Sequence, residues 1–180
     1  MSDVLYEKCD RLFALYDTDG SGRLNHEDVA LMVDRILQGS AVPAQSPKAL
    51  SLRAEYGAWW RTLLDHADTD GDGTVTSEEF RTAMTSLVHA PAVEAAARSA
   101  VEAAFSAMDH DDDGEIPTAV LIGMFTRAGL AAPDAAEAAN AFDLDGDGTI
   151  TRQEYTAAWL EFFTTEDRNA PASRILGRLA

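Results

Sequence analysis

An all-α fold built from four helix–loop–helix units is predicted by three features of this 180-residue sequence. An acidic loop recurs, a glycine sits at a fixed place inside it, and apolar residues flank it at helical spacing. Four 12-residue windows begin at Asp17, Asp68, Asp109 and Asp143. Each carries Asp at positions 1 and 3, Asp or Ser at position 5, and Gly at position 6. The windows hold 18 of the 31 Asp and Glu residues but only two of the 14 Lys and Arg, so almost all of the net charge of −17 lies in them. A merely solvated acidic face would show neither the fixed glycine nor the alternation of carboxylates.

The pattern is that of the EF-hand loop, D-x-[DN]-x-[DN]-G-x5-E. Its spacing follows from the chemistry of Ca²⁺, a hard ion that takes six to eight oxygens at about 2.3–2.6 Å. Side chains at positions 1, 3 and 5, a backbone carbonyl at 7, a group or water at 9 and a two-oxygen carboxylate at 12 supply them. Position 8 is apolar throughout: Leu24, Val75, Ile116 and Ile150. In such loops this residue pairs across a short two-stranded ribbon, so Leu24 is expected to face Val75, and Ile116 to face Ile150.

The elements follow in chain order. Phe13 and Tyr16 lead into the first loop, and Val29, Met32 and Val33 leave it on one helical face. A connector, Gly39–Pro47, then widens the first gap between loops. Ser46-Pro47 reads as a helix N-cap followed by proline at the first helical position, opening a long helix to about Ala67. Trp59 and Trp60 on it are adjacent, so only one is expected to face the core fully. Phe80, Ala83 and Met84 leave the second loop, and His89-Ala90-Pro91 marks a break. Phe105 and Met108 precede the third loop, and Leu121, Met124 and Phe125 follow it. Ala132-Pro133-Asp134 opens a short helix carrying Ala139 and Phe142, and Tyr155, Ala158 and Trp159 leave the fourth loop. The resulting plan has an N-terminal pair over residues 1–90 (loops 17–28 and 68–79) and a C-terminal pair over 91–163 (loops 109–120 and 143–154). A tail over 164–180 bears Ile175, Leu176 and Leu179.

The loops are unequal as metal sites. Loop two offers Asp68, Asp70, Asp72, the Thr74 carbonyl and Glu79, and loop four offers Asp143, Asp145, Asp147, the Thr149 carbonyl and Glu154; both sets are complete. Loop one has Asp17, Asp19, Ser21, the Arg23 carbonyl and Asp28. Asp28 is one methylene shorter than Glu, which lowers coordination towards six and shifts preference towards the smaller, octahedral Mg²⁺. Loop three begins with Asp109, Asp111 and Asp113 but has Pro117 at position 9 and Val120 at position 12, so it lacks the two-oxygen carboxylate. It is expected to stay empty or bind very weakly, and to serve its ribbon. About three Ca²⁺ per chain follow.

Four such loops with a long first gap and one degenerate member resemble the sarcoplasmic calcium-binding protein and calerythrin family. The loop starts are 51, 41 and 34 residues apart, and the tail reads Asn169-Ala170-Pro171…Ile175-Leu176-Gly177. The alanine-rich composition suits a bacterial member. The resemblance implies a compact globule of two packed EF-hand pairs and a role as a cytosolic Ca²⁺ buffer or transporter. The alternative is a Ca²⁺ sensor that opens on binding and grips a helix of a partner protein. Sensor grooves favour methionine, yet Met32, Met84, Met108 and Met124 occupy places that suit a core.

Other classes find little support. The acidic surface repels nucleic acid and anionic lipid, so neither is an expected partner. No window reaches the ~18 apolar residues of a spanning helix, and Met1–Glu7 resembles no secretory leader; a cytoplasmic monomer is expected. No nucleophile elbow, HExxH or phosphate loop is present, so no enzyme is expected. The single Cys9 shares the face of Phe13 and reads as a packed thiol.

Overall fold

The structure is a computed structural model that describes residues 3–86, 90–127, 129–177 and 179. Among these residues, eight α-helices and four short strands arise where the sequence pattern puts them: α1 (Asp3–Tyr16), β1 (Arg23–Leu24), α2 (His26–Gly39), α3 (Pro47–Ala67), β2 (Val75–Thr76), α4 (Ser77–Ser86), α5 (Pro91–Met108), β3 (Glu115–Pro117), α6 (Thr118–Arg127), α7 (Ala132–Asn140), β4 (Thr149–Thr151) and α8 (Arg152–Thr164). A 3₁₀ turn over Pro171–Arg174 closes the tail. The break expected at His89 lies outside the described residues, although α5 does open at Pro91.

Helix starts have identifiable causes. Asn25 Oδ1 accepts from the amides of Glu27 and Asp28, and Asp28 in turn accepts from the Asn25 amide, a reciprocal cap that begins α2. Thr151 and Glu154 do the same for α8. As expected, Ser46 caps α3 through the Ala49 amide, with Pro47 next.

The strands form two antiparallel ribbons, β1 with β2 and β3 with β4. Leu24 faces Val75 and Ile116 faces Ile150, in the expected register. All four side chains are fully buried, so each ribbon is anchored by an apolar pair as well as by backbone bonds.

Helix α3 lies against α2, α4 and α5, which gives it covered surface on several sides. That arrangement corrects one expectation: Trp59 and Trp60 are both buried, at 4% exposure each. Adjacent side chains diverge by about 100° on a helix, and here each direction meets a neighbouring helix. Phe80, Phe105, Phe142 and Phe162 fill the interior. Cys9 is buried as expected, and burial pushes its thiol up to about 11.

The tail ties the two ends of the chain together. Ala172, Ser173 and Ile175 are buried, Arg174 pairs with Glu137 of α7 at 2.9 Å, and Arg168 pairs with Glu7 of α1 at 2.8 Å. Lys8 of α1 is itself buried and donates from Nζ to the carbonyls of Phe162 and Thr165, at 3.0 and 2.8 Å. A cation at that place completes the carbonyls at the C-terminal end of α8 and faces the negative end of its dipole.

Candidate metal centres

Each loop is drawn around its first carboxylate. The glycine amide at position 6 donates to the Asp at position 1 in all four: Gly22 to Asp17, Gly73 to Asp68, Gly114 to Asp109 and Gly148 to Asp143, at 2.9–3.2 Å. The turn that aims this amide needs a left-handed backbone, with φ between 77° and 92° at these glycines, which a Cβ would strain.

Position 12 closes the ring from the other side. Glu79 accepts from the Thr69 amide and hydroxyl with one oxygen, and from the Thr76 amide and hydroxyl with the other, at 2.8–3.0 Å. Those backbone bonds pull its carboxyl down to about 2. Glu154 likewise spans the Leu144 amide and Thr151. Burial opposes its ionisation, but the bonds from Thr151 and Leu144 outweigh burial and hold it below the usual range. The shorter Asp28 makes the same span, to Thr18 and the Asn25 amide at 3.0–3.2 Å, and is drawn in until it is 1% exposed.

Carboxylate oxygens converge in every loop. One oxygen each from Asp17, Asp19 and Asp28 lies within 4.8 Å of the other two, and the same holds for Asp68, Asp70 and Asp72, for Asp109, Asp111 and Asp113, and for Asp143, Asp145 and Glu154. Bonds from Ser21, Thr74 and Thr149 hold Asp19, Asp72 and Asp147 below the ordinary carboxylate range, so these groups stay ionised. Three anions held that close repel strongly unless a cation joins them. The converging donors are all oxygen, which fits a hard ion such as Ca²⁺ or Mg²⁺ and suits soft metals poorly. Ser21 Oγ lies 2.9 Å from the Arg23 carbonyl, to which it donates, so those two oxygens of loop one also sit together. The remaining expected group, the Thr74 carbonyl of loop two, occupies the same place in its loop as the carbonyls of Arg23 and Thr149.

Loop three is built differently. Pro117 and Val120 leave α6 without the reciprocal cap, and the Thr118 amide and hydroxyl turn to the Gly148 carbonyl instead. Asp112 adopts φ 60°, where the other loops have glycine, and pairs with Lys48 at 2.7 Å. Lys48 Nζ also donates to the Asp109 carbonyl. Arg152 of loop four stands 3.6 Å from the Asp109 carboxylate and lies over the Phe105 ring. Asp109 is 1% exposed, and its Oδ1 has no hydrogen-bond partner. Two protein cations thus face this loop. No local pattern points to Lys48, which is 61 residues from Asp109; Arg152 stands out in the sequence only as a basic residue inside a loop. A second unforeseen contact joins loops one and two, where Arg23 reaches the Asp72 carboxylate and the Thr74 hydroxyl.

Helix–loop–helix pairs joined by ribbons, with oxygen cages in the loops, define the EF-hand class. A family model for an EF-hand domain pair matches residues 6–85, and one for a single EF hand matches 140–157. Calerythrin of Saccharopolyspora erythraea is 26% identical over 89% of this chain and 90% of its own length. The solved structure of a Streptomyces coelicolor calcium-binding protein is 33% identical, covers 88% of this chain and 98% of that one, and superposes with a TM-score of 0.77. A sarcoplasmic calcium-binding protein from amphioxus shares the fold over the full length of both chains at a TM-score of 0.76, with 18% identity. The chain belongs to the EF-hand calcium-binding proteins; it is similar in sequence to calerythrin and in fold to a sarcoplasmic calcium-binding protein. Among the described residues, no helix is long and apolar enough to cross a membrane.

Proposed function

We propose that this protein is a closed Ca²⁺ buffer or carrier of the cytoplasm, a monomer without catalytic activity that holds about three ions. Loops one, two and four are the binding sites. The ligands are Asp17, Asp19, Ser21, the Arg23 carbonyl and Asp28; Asp68, Asp70, Asp72, the Thr74 carbonyl and Glu79; and Asp143, Asp145, Asp147, the Thr149 carbonyl and Glu154. Mg²⁺ competes at loop one, where the position-12 side chain is shorter. Three ions would reduce the net charge from −17 to −11, relieving repulsion among the loops and stabilising the folded chain. The working units are the EF-hand pairs 1–90 and 91–163, with the tail 164–180 as a clasp.

One observation carries the closed reading: the apolar residues that leave the loops are consumed inside the molecule. Val29, Phe80, Leu121 and Tyr155 are each at most 3% exposed, and Met32, Met84 and Met108 are buried as well. A sensor needs such a surface to become available to a partner helix. That second reading draws support from the Streptomyces coelicolor relative, which is described in connection with prokaryotic calcium-mediated regulation. Fluorescence of a hydrophobic dye on metal-free, Mg²⁺-loaded and Ca²⁺-loaded protein separates the two. A flat or falling signal with Ca²⁺ is expected for the buffer, and a rise specific to Ca²⁺ would transfer the case to the sensor.

A further inference from the structure

The helices from the two EF-hand pairs do not fill the space between them. A cavity of about 190 Å³ remains, walled by both halves of the chain: Leu12, Met32 and Met84 on one side, and Ala100, Met124 and Phe125 on the other. Small side chains on α5, Ala97 and Ala100, leave room that a larger residue would occupy. Exposed Arg35 and Arg127 stand at its edge, Arg127 donating to the Gly39 carbonyl at 3.1 Å.

Its lining is not that of a simple packing defect. Tyr16, Tyr56, Tyr155 and Trp159 all border it. Burial pushes all three phenols above their ordinary range, with Tyr16 and Tyr56 close enough to interact, so they stand as neutral hydroxyls. The Trp159 indole N–H lies beside the Tyr155 phenol yet finds no acceptor in hydrogen-bonding geometry. Tyr16 and Trp59 stack at 5.0 Å and 25°, bringing ring faces to the same wall. A buried donor without a partner is costly; a ligand acceptor would satisfy it.

We propose that this cavity binds one small, uncharged, planar aromatic molecule whose carbonyl-type oxygen accepts the Trp159 N–H. Size follows from volume: a dry cavity of roughly 150 Å³ takes benzene, and this one is about a quarter larger and open at one side, so it suits a compact flat ring system of roughly eight to ten heavy atoms. A charged ligand is disfavoured in the interior because apolar groups, neutral phenols and the Trp159 indole line it, while Gln38, Arg35 and Arg127 are exposed. Flatness follows from the ring faces, against which an aromatic stacks well.

The probes are coumarin, a flat bicycle with a lactone carbonyl, and naphthalene, of similar shape without an acceptor. Both are titrated calorimetrically into the full Ca²⁺-saturated chain, whose Ca²⁺ stoichiometry is measured separately so that failure here is distinct from failure of the calcium reading. Coumarin is expected to bind one-to-one. Trp159→Phe should weaken coumarin about 3–10-fold, the usual worth of one neutral hydrogen bond, and leave naphthalene within about twofold. Ala100→Phe should abolish binding of both. In the unaltered chain, the methyl resonances of Met32, Met84 and Met124 should shift with coumarin while that of Met108, which does not line the cavity, stays still. Absence of saturable coumarin binding, undiminished binding in Ala100→Phe, equal weakening of both probes in Trp159→Phe, or shifts at Met108 alone would each overturn the proposal.

Discussion

Loops three and four share one ribbon, yet they treat their carboxylates in opposite ways. In loop four, Asp143, Asp145 and Glu154 converge, and Glu154 both caps α8 and spans the loop. In loop three, Val120 and Pro117 remove that device, and Lys48 and Arg152 face Asp112 and Asp109. The ribbon survives nonetheless, with Ile116 and Ile150 fully buried against each other. Pairing of loops and presentation of a carboxylate at position 12 are therefore separable features. The first needs an apolar residue at position 8 and free backbone groups, and the second depends on position 12 alone. A loop that has lost the second can be kept for the first.

The comparison breaks most sharply at position 12. Glu154→Gln is expected to weaken Ca²⁺ at loop four on the order of 100-fold, since a charged two-oxygen ligand is lost. Val120→Ala in loop three should change Ca²⁺ titrations by less than about twofold. Equal losses in the two variants would contradict the division between the loops.

A smaller effect comes from rebuilding loop three. Pro117→Thr with Val120→Glu supplies the missing cap and carboxylate, so a calorimetric titration should show a weak additional site. Adding Lys48→Ala should tighten that site a few-fold, the scale of a partly exposed ion pair worth about 1 kcal/mol. An unchanged affinity would mean that Lys48 does not compete for the loop. Asp28→Glu in loop one is the matching gain within an intact site: preference for Ca²⁺ over Mg²⁺ should rise several-fold in competition titrations, and an unaltered ratio would remove the role given to side-chain length.

The smallest effect concerns how the two exit helices are anchored at their far ends. Exposed Arg127 of α6 donates to the Gly39 carbonyl, whereas the end of α8 is held by buried Lys8. Burial lowers Lys8 from 10.5 to about 8. Below pH 8 both folded and unfolded chains carry the proton, and the cost of burying the charge is fully present. Between pH 8 and 10.5 the folded chain releases it first, so folding gains stability as pH rises. Cys9 works against this above pH 9, because burial raises its thiol in the folded state. Subtracting Lys8→Met from the parent isolates the lysine: the stability difference from urea melts should move in the parent's favour from pH 8 to 10.

Most of the loop geometry was legible in the sequence, because a 12-residue loop encodes its turn and its ribbon residue locally. Glycine at position 6, carboxylates at 1 and 3, and an apolar residue at 8 fix the turn, the cage and the ribbon without reference to the rest of the chain. The Ser46-Pro47 start of α3 was equally local. What escaped notice depends on distant packing. Trp59 and Trp60 are both buried because three helices surround α3. Lys48 reaches loop three, and Arg23 reaches loop two, only once the helices have assembled. The cavity beside Trp159 likewise has no local signature, since its walls come from seven helices that meet only in the fold.

The central proposal is that loops one, two and four hold Ca²⁺ and that loop three, faced by Lys48 and Arg152, does not. The most direct measurement is the number of Ca²⁺ ions retained per chain by native mass spectrometry at a free Ca²⁺ level about tenfold above that which half-fills the parent's weakest intact site, repeated for Glu154→Gln and Val120→Ala. The account predicts three ions in the parent, two in Glu154→Gln and three in Val120→Ala. Four ions in the parent, or a loss on changing Val120, would contradict it.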